Sequence, residues 1–192
     1  MFFLNELKFC DEGGRKMKVT EIQPSILALE FRQEPTDSDY GSCLWARFYF
    51  NLDRYELTII SDCGEYGYKW YETEKESFLE LMSRIDEGYL IGKLYGYPDI
   101  FDYEASKRKV YEYCEDQMSK EELDDAFDEI ELFGYPETEE SFLRGIDSEI
   151  GWIDEPCCFV EKIYPTNALK ICNVFETAIK PRIKEILGDF EQ

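Results

Sequence analysis

Hydrophobic and polar residues alternate in short runs over the first third of the chain. These runs occupy residues 19–31, 43–50, 55–60 and 66–70. A period of two is typical of strands with one buried face, and Pro24 breaks the first run into two strands. Because the connections are short, the pattern over residues 17–70 predicts an antiparallel meander of four or five strands.

From about residue 73 the hydrophobic period becomes that of a helix. Thr73 and Glu76 have the spacing of a capping box, which predicts the start of the first helix there. Further helices are predicted over about 103–117, from Ser119, from Thr138, and over 166–188, where Pro181 must kink or split the helix. Residues 157–163 are predicted to form a late strand.

Strands followed by helices predict an α+β fold, with an N-terminal antiparallel β-meander of four or five strands followed by an acidic helical region. We predict three segments: a leader or disordered N-terminus at 1–16, a β-rich α+β domain at 17–100, and an acidic, mostly helical region at 101–192 that packs on it.

The first sixteen residues are set apart because Glu-Gly-Gly at 12–14 resembles the translation of a bacterial ribosome-binding site before Met17. We therefore interpret Met17 as the native start. The alternative is a helical N-terminus whose apolar residues dock on the body, namely Phe2, Phe3, Leu7 and Phe9.

Charge changes this picture most in the second half of the chain. The protein has 43 Asp and Glu against 21 Lys and Arg, a net charge of −22, and residues 112–155 alone hold seventeen acidic and two basic residues. Such a field repels nucleic acid and anionic membranes, and it attracts basic proteins. The chain is also rich in aromatic residues, with 14 Phe and 14 Tyr, so we expect it to be folded.

The composition also excludes several kinds of site. The seven cysteines form no CxxC pair, and with no signal peptide this favours reduced thiols in a cytoplasmic protein. No histidine is present, so every His-dependent triad or dyad is excluded. There is no Walker A loop, no GxGxxG and no GxSxG, so we expect no cofactor.

The main candidate for partner binding is the helix predicted from Ser119. Leu123, Phe127 and Ile130 form its inner face. The predicted partner-binding residues are Glu121, Glu122, Asp125, Asp128, Glu129 and Tyr135. Carboxylates one turn apart are separated by ~5–6 Å, close to the phosphate spacing of one nucleic-acid strand. The alternative role of these charges is solubility alone.

A metal ion is a further possibility on the same helix. Asp124, Asp128 and Glu131 share one face and have the oxygen ligands that Mg²⁺ prefers. The segment lacks the spacing of a calcium-binding loop, so we predict no metal site.

A histidine-independent ribonuclease is the alternative function. Glu65 supplies a base, Lys69 or Tyr66 an acid, and Arg47 a cation for the phosphorane. The competing structural interpretation is that Gly64 and neighbouring residues form a tight turn and the aromatic side chains pack in the core. We therefore expect no enzymatic activity, with ribonuclease activity as the alternative.

Three segments resemble small proteins of bacteriophages and prophages of Gram-positive bacteria. They read PSIL at 24–27, YGSCLWARF at 40–48 and SDCGEY at 61–66, within a similar region of about 17–95. Some of the proteins they resemble are anti-CRISPR inhibitors of type II effectors. The resemblance implies a counter-defence protein in the host cytoplasm that binds the RNA-guided nuclease or acts on its guide RNA.

We therefore expect an acidic inhibitor whose partner is a basic nucleic-acid-binding protein, a type II CRISPR effector nuclease or its guide-RNA complex. Its acidic half suits the basic channel of such an enzyme. Direct DNA binding and membrane binding are not expected, because both surfaces are anionic. The alternatives are a ribonuclease that truncates guide RNA, and an immunity protein that neutralises a basic toxin nuclease.

Overall fold

The computed structural model describes the backbone of residues 6–10, 16–20, 23–38, 40–72, 75–132 and 138–190, and the side chains of residues 23–38, 40–72, 75–132 and 138–188. The chain divides into two compact units. One comprises residues 1–94 and 170–192, and the other residues 95–169. Residues 170–192 belong to the unit that holds the sheet, where the rings of Phe48 and Phe175 lie 6.2 Å apart.

The predicted meander is present in the first unit. Its strands are β3 (Ile26–Arg32), β4 (Trp45–Asn51), β5 (Glu56–Ser61) and β6 (Gly64–Lys69), after an earlier pair, β1 (Glu6–Cys10) and β2 (Lys16–Thr20). The sheet has the order β3-β4-β5-β6, and all its neighbours are antiparallel. On the inner face Phe48, Leu57 and Ile59 are buried, as the alternation predicts.

The strand predicted near residue 19 does not join this sheet. Strands β1 and β2 pair with each other, and Phe9 lies opposite Met17. Leu7 and Phe9 therefore lie in a strand, and the helical alternative for the N-terminus is wrong at these positions. Phe2 and Phe3 lie outside the described residues, and the native start at Met17 stays a prediction.

The first helix begins one turn later than predicted. Helix α1 (Phe78–Arg84) starts at a capping box of Ser77 and Glu80, and α2 (Glu87–Leu94) follows it. Glu76, which was predicted to form the capping box, instead accepts a hydrogen bond from Arg84 Nε at Oε2, at 2.8 Å. The predicted apolar stripe of α1 is nonetheless buried, with Phe78 and Met82 almost fully enclosed.

The described part of the second unit contains helices and a short strand pair. Its elements are β7 (Ile100–Asp102), α3 (Tyr103–Cys114), α4 (Lys120–Leu132), α5 (Glu139–Glu149), a 3-10 turn (Pro156–Phe159) and β8 (Glu161–Ile163), which pairs antiparallel with β7. Residues 157–159, the first part of the predicted late strand, lie instead in this turn, which Pro156 begins. The core of the unit joins Val110, Phe127, Phe142 and Ile146, each buried.

The C-terminal helix is interrupted where Pro181 predicts. Helix α6 (Thr166–Val174) continues into a π-helical turn (Phe175–Ile179) and then α7 (Lys180–Phe190). Lys180 donates its backbone N–H to Phe175 O, five residues back, and Pro181 has no N–H to donate. The wider turn accommodates the missing hydrogen bond without ending the helix.

We expect Gly145→Ala to destabilise the protein, although alanine ordinarily favours a helix. A Cβ at position 145 of α5 meets Ile130 Cγ2 of α4 at 2.8 Å. Ile130 is buried and β-branched, so it yields little, and overpacking of this kind costs about 1–3 kcal/mol. Urea unfolding followed by circular dichroism measures the change.

Gly188→Ala in α7 is the matched control, because a Cβ there meets nothing. It should stabilise the protein by about 0.5–1 kcal/mol. Equal effects of the two substitutions would contradict the close packing of α4 against α5.

Candidate functional site

Helix α4 is fixed at its start by the predicted cap. Ser119 Oγ accepts a hydrogen bond from the Glu122 N–H at 3.2 Å, and the Glu122 carboxylate accepts one from the Ser119 N–H at 2.8 Å. This hydrogen bond from the Ser119 backbone is the main reason that the pKa of Glu122 lies below its usual value. The reciprocal pair sets the rotation of the helix from its first turn.

The same helix buries one apolar stripe against the core of the second unit. Leu123, Phe127 and Ile130 are 2%, 0% and 5% exposed. Because these residues recur every three or four positions, the remaining faces of α4 must carry its polar residues. The core therefore decides the direction of the carboxylates.

The predicted partner-binding residues lie on the outward faces of α4. We call Glu121, Glu122, Asp125, Asp128 and Glu129 the acidic face, and all five are exposed. Within the described part of the chain, no ion pair joins any of them to a basic side chain. Tyr135, the sixth predicted residue, lies outside the described residues.

Two other carboxylates of α4 turn toward α3 and are engaged there. Tyr111 donates its hydroxyl proton to Asp124 at 2.8 Å, and burial, followed by this bond, raises the pKa of Tyr111. Glu131 accepts hydrogen bonds from Tyr103 at 2.6 Å and from Lys107 at 2.9 Å. Tyr103 and then Lys107 hold the pKa of Glu131 below its usual value.

These contacts separate the trio considered for a hard cation. Asp124 and Glu131 are each bonded to a tyrosine of α3, whereas Asp128 is exposed. Lys107 also lies 4.9 Å from the Phe127 ring centre, so a cation already occupies this region. The arrangement serves to fix α4 on α3.

The candidate nuclease residues are divided between the two faces of the sheet. Tyr66 lies opposite the buried Ile59 and therefore on the inner face, and its hydroxyl donates to Cys63 O at 3.0 Å. Glu65 lies opposite Ile60 and therefore on the outer face. Neighbouring residues of a strand point to opposite sides, so the structure does not bring Tyr66 and Glu65 together.

The two basic candidates are also distant from Glu65. Arg47 lies on β4, two strands away, and pairs with Glu30 at 3.2 Å. Lys69 lies four residues along β6, ~13 Å from Glu65 by strand rise, and pairs with Glu56 at 3.7 Å. Glu65, Arg47 and Lys69 thus share the outer face, where Arg47 and Lys69 are paired with other carboxylates, and Tyr66 lies on the inner face.

A cluster that the sequence analysis missed lies at the same end of the sheet. Cys43, Asp62 and Cys63 place two Sγ atoms and a carboxylate oxygen within 4.8 Å of one another. Cys43 and Cys63 are 0% and 6% exposed, whereas Asp62 is exposed. Pairing the two predicted strands as a hairpin could have revealed the cluster. Ala46 lies opposite Ser61, and this register brings together the residues that lie beyond those two strand ends.

Comparison with known proteins gives one family. A family model described as a phage family, Phage_phiTE_072, matches residues 17–185. No curated protein and no solved structure matches the chain significantly.

Across the described ranges, none of the helices combines the length and the apolar character that a membrane crossing requires.

We expect Glu131→Gln to lower stability at neutral pH by about 1 kcal/mol, a modest loss because about a third of the side chain remains exposed. The Glu131 pKa is lower in the folded protein than its ordinary value of 4.5. The carboxylate therefore contributes stability above that pH, and this contribution is lost as pH falls through the folded pKa. The stability difference between wild type and variant should thus shrink in acid, as measured by urea unfolding across pH.

Glu121→Gln is the control, since Glu121 is exposed and makes no ion pair within the described residues. Its neutral-pH stability should stay close to that of wild type, because the like-charge repulsion that is removed offsets the lost attraction between Glu121 and the N-terminus of α4. A loss at Glu121 as large as at Glu131 would contradict the bonded role of Glu131.

Proposed function

We propose that this chain, which belongs to the Phage_phiTE_072 phage family, is an acidic inhibitor of a basic nucleic-acid-binding protein in the bacterial host. It acts in the host cytoplasm by occupying the surface that its target uses to hold nucleic acid. It needs no cofactor and performs no catalysis in this role.

The observation that carries the proposal is the acidic face of α4. Its five carboxylates are exposed, and no basic residue of the described chain pairs with them. The field of these groups is therefore available to a partner. A partner of opposite sign is attracted from a distance and oriented as it approaches.

The spacing of the acidic face also suits a nucleic-acid surface. Asp125 and Glu129 lie one helical turn apart, as do Glu121 and Asp125, which gives ~5–6 Å between neighbouring groups. A groove that binds successive phosphates presents lysine and arginine at a similar interval. The rigid backbone of α4 keeps this spacing fixed, so little conformational entropy is lost on binding.

The target that this surface fits best is a type II CRISPR effector nuclease or its guide-RNA complex. Such an enzyme holds its heteroduplex in a positively charged channel and recognises backbone geometry there. A phage protein has a reason to block it, and the segments at 24–27, 40–48 and 61–66 resemble phage proteins of which some are such inhibitors. An acidic helix in the channel excludes nucleic acid by charge and volume.

Two other functions share part of this evidence. An immunity protein for a basic toxin nuclease uses the same electrostatics with a different partner. A ribonuclease acting on guide RNA draws on Glu65, Tyr66, Lys69 and Arg47. We favour the binder over the ribonuclease, because Tyr66 lies on the face opposite Glu65, and Arg47 and Lys69 are paired with other carboxylates.

We expect Asp125→Lys with Glu129→Lys to weaken inhibition by about a hundredfold or more, because like charges then face each other in the complex. The protein is titrated into a type II effector–guide complex from far below one equivalent. DNA cleavage and guide-RNA length are both followed. A blocking protein inhibits only near stoichiometric amounts and leaves the guide intact.

Glu65→Lys with Glu72→Lys is the matched control, since it changes the net charge equally at two exposed positions of the first unit. This control should inhibit like wild type. Unchanged inhibition by the α4 double variant would contradict the proposal. Shortened guide RNA at low protein ratios, lost in the Glu65 variant, would instead establish the ribonuclease.

Raising the salt concentration should lower the affinity of the complex, and the effect should grow with the number of carboxylates that the partner engages. For about four engaged carboxylates we expect the dissociation constant to rise about a hundredfold between about 50 and 200 mM salt. Binding to the effector measured by calorimetry or interferometry across this range tests it. A flat salt response would show that apolar contacts, and not the acidic face, drive binding.

A further inference from the structure

Two loops of the first unit meet beside the ends of β4 and β5. One carries Cys43 just before β4, and the other carries Asp62 and Cys63 in the turn between β5 and β6. Cys43 Sγ lies 3.5 Å from Asp62 Oδ1. All three ligand atoms lie within 4.8 Å of one another. Residues nineteen and twenty positions apart are thus gathered at one point.

These distances are close to those around a tetrahedral zinc ion. With a Zn–S bond of ~2.3 Å and a Zn–O bond of ~2.0 Å, tetrahedral ligands stand about 3.5 Å apart for sulfur and oxygen and about 3.8 Å apart for two sulfurs. The Cys43–Asp62 separation already has this value. Because the remaining separations are at most 4.8 Å, a contraction of at most about 1.3 Å brings them to these values.

We propose that Cys43, Asp62 and Cys63 bind a thiophilic divalent cation, Zn²⁺, through two thiolates and one carboxylate. A water molecule completes the coordination. The two thiols each release a proton as the ion binds, so the protein exchanges two protons for one Zn²⁺.

The hydrogen bonds around Asp62 support a ligand role. Leu44 N–H donates to Oδ2 at 2.9 Å, and Trp45 N–H donates to Oδ1 at 3.3 Å. These bonds fix the carboxylate while leaving lone pairs on Oδ1 for a metal. Hydrogen bonds of this kind orient ligands in established metal sites.

The ligand types select among cations. Two sulfur ligands favour Zn²⁺ over Mg²⁺ or Ca²⁺, which prefer oxygen. The thiols are enclosed, whereas Asp62 is exposed, so an ion enters from the carboxylate side. Each thiol must lose its proton to bind the ion, so binding should strengthen as pH rises.

The ion would join the loop before β4 to the turn after β5. Hydrogen bonds from Leu44 and Trp45 to Asp62 already connect these two segments. A bound cation adds a cross-link that the unfolded chain lacks, so it raises the stability of the sheet. The site is independent of the acidic face and stands whether or not the chain inhibits a nuclease.

The test is a titration of the fully reduced protein with Co²⁺, a spectroscopic substitute for Zn²⁺, under anaerobic conditions. We expect one equivalent to give tetrahedral visible bands and thiolate-to-cobalt charge transfer, both displaced by Zn²⁺. Calorimetry in buffers of different ionisation enthalpy should show about two protons released per Zn²⁺. Both measurements use the unaltered protein and do not depend on a variant folding.

Variants then locate the ion. Cys43→Ser and Cys63→Ser should each abolish the charge-transfer bands expected for the two-thiolate site. Asp62→Asn keeps one oxygen that can accept the hydrogen bonds of the loop, and it should weaken binding by about a hundredfold. The control replaces the exposed pair, Cys157→Ser with Cys158→Ser, and should bind like wild type. Circular dichroism confirms that each variant is folded.

Several results would overturn the proposal. These are no charge transfer in the unaltered protein, bands that persist unchanged in Cys43→Ser, or bands that disappear in the Cys157–Cys158 control. A disulfide between Cys43 and Cys63 in protein alkylated directly from the bacterial cytoplasm would also overturn it, because the thiolates are then consumed.

Discussion

The burial of one apolar stripe on α4 determines how the second unit presents its charge. Enclosing Leu123, Phe127 and Ile130 contributes roughly 1.5–3 kcal/mol for each side chain. Repulsion between carboxylates one turn apart costs only a few tenths of a kcal/mol per pair. The core term is larger, so the helix forms despite its charge, and its rotation is set. The carboxylates of the acidic face must then point to solvent.

Local patterns predicted most elements because short-range physics decides them. Alternation identified β4 and β5, and the caps at Ser119 and Thr138 start α4 and α5. The start of α1 was misplaced because Thr73 with Glu76 and Ser77 with Glu80 have the same spacing. In the structure Ser77 and Glu80 form the capping box, and Glu76 pairs with Arg84. The pairing of β2 with β1 is local, and it was missed because the first sixteen residues were interpreted as a leader.

The candidate sites differ in the same way. The acidic face was predictable because its residues and its buried stripe belong to one helix. The cluster of Cys43, Asp62 and Cys63 was not predicted, since its members lie in separate loops and form no short motif. Only the antiparallel register of β4 and β5 brings them together. In the same way, the register of β5 and β6 shows that Tyr66 lies on the opposite face of the sheet from Glu65.

The distribution of basic residues in the second unit argues that the acidic face is more than a means of solubility. Four basic side chains of this unit pair with glutamates outside the acidic face: Lys107 with Glu131, Lys109 with Glu161, Arg144 with Glu140, and Lys162 with Glu139. These partners lie on the inner edge of α4, on α5 and on β8. Solubility depends on net charge and is served equally well by mixed charges across a surface. A segregated field costs stability through self-repulsion, and what it adds is selective attraction of a basic partner.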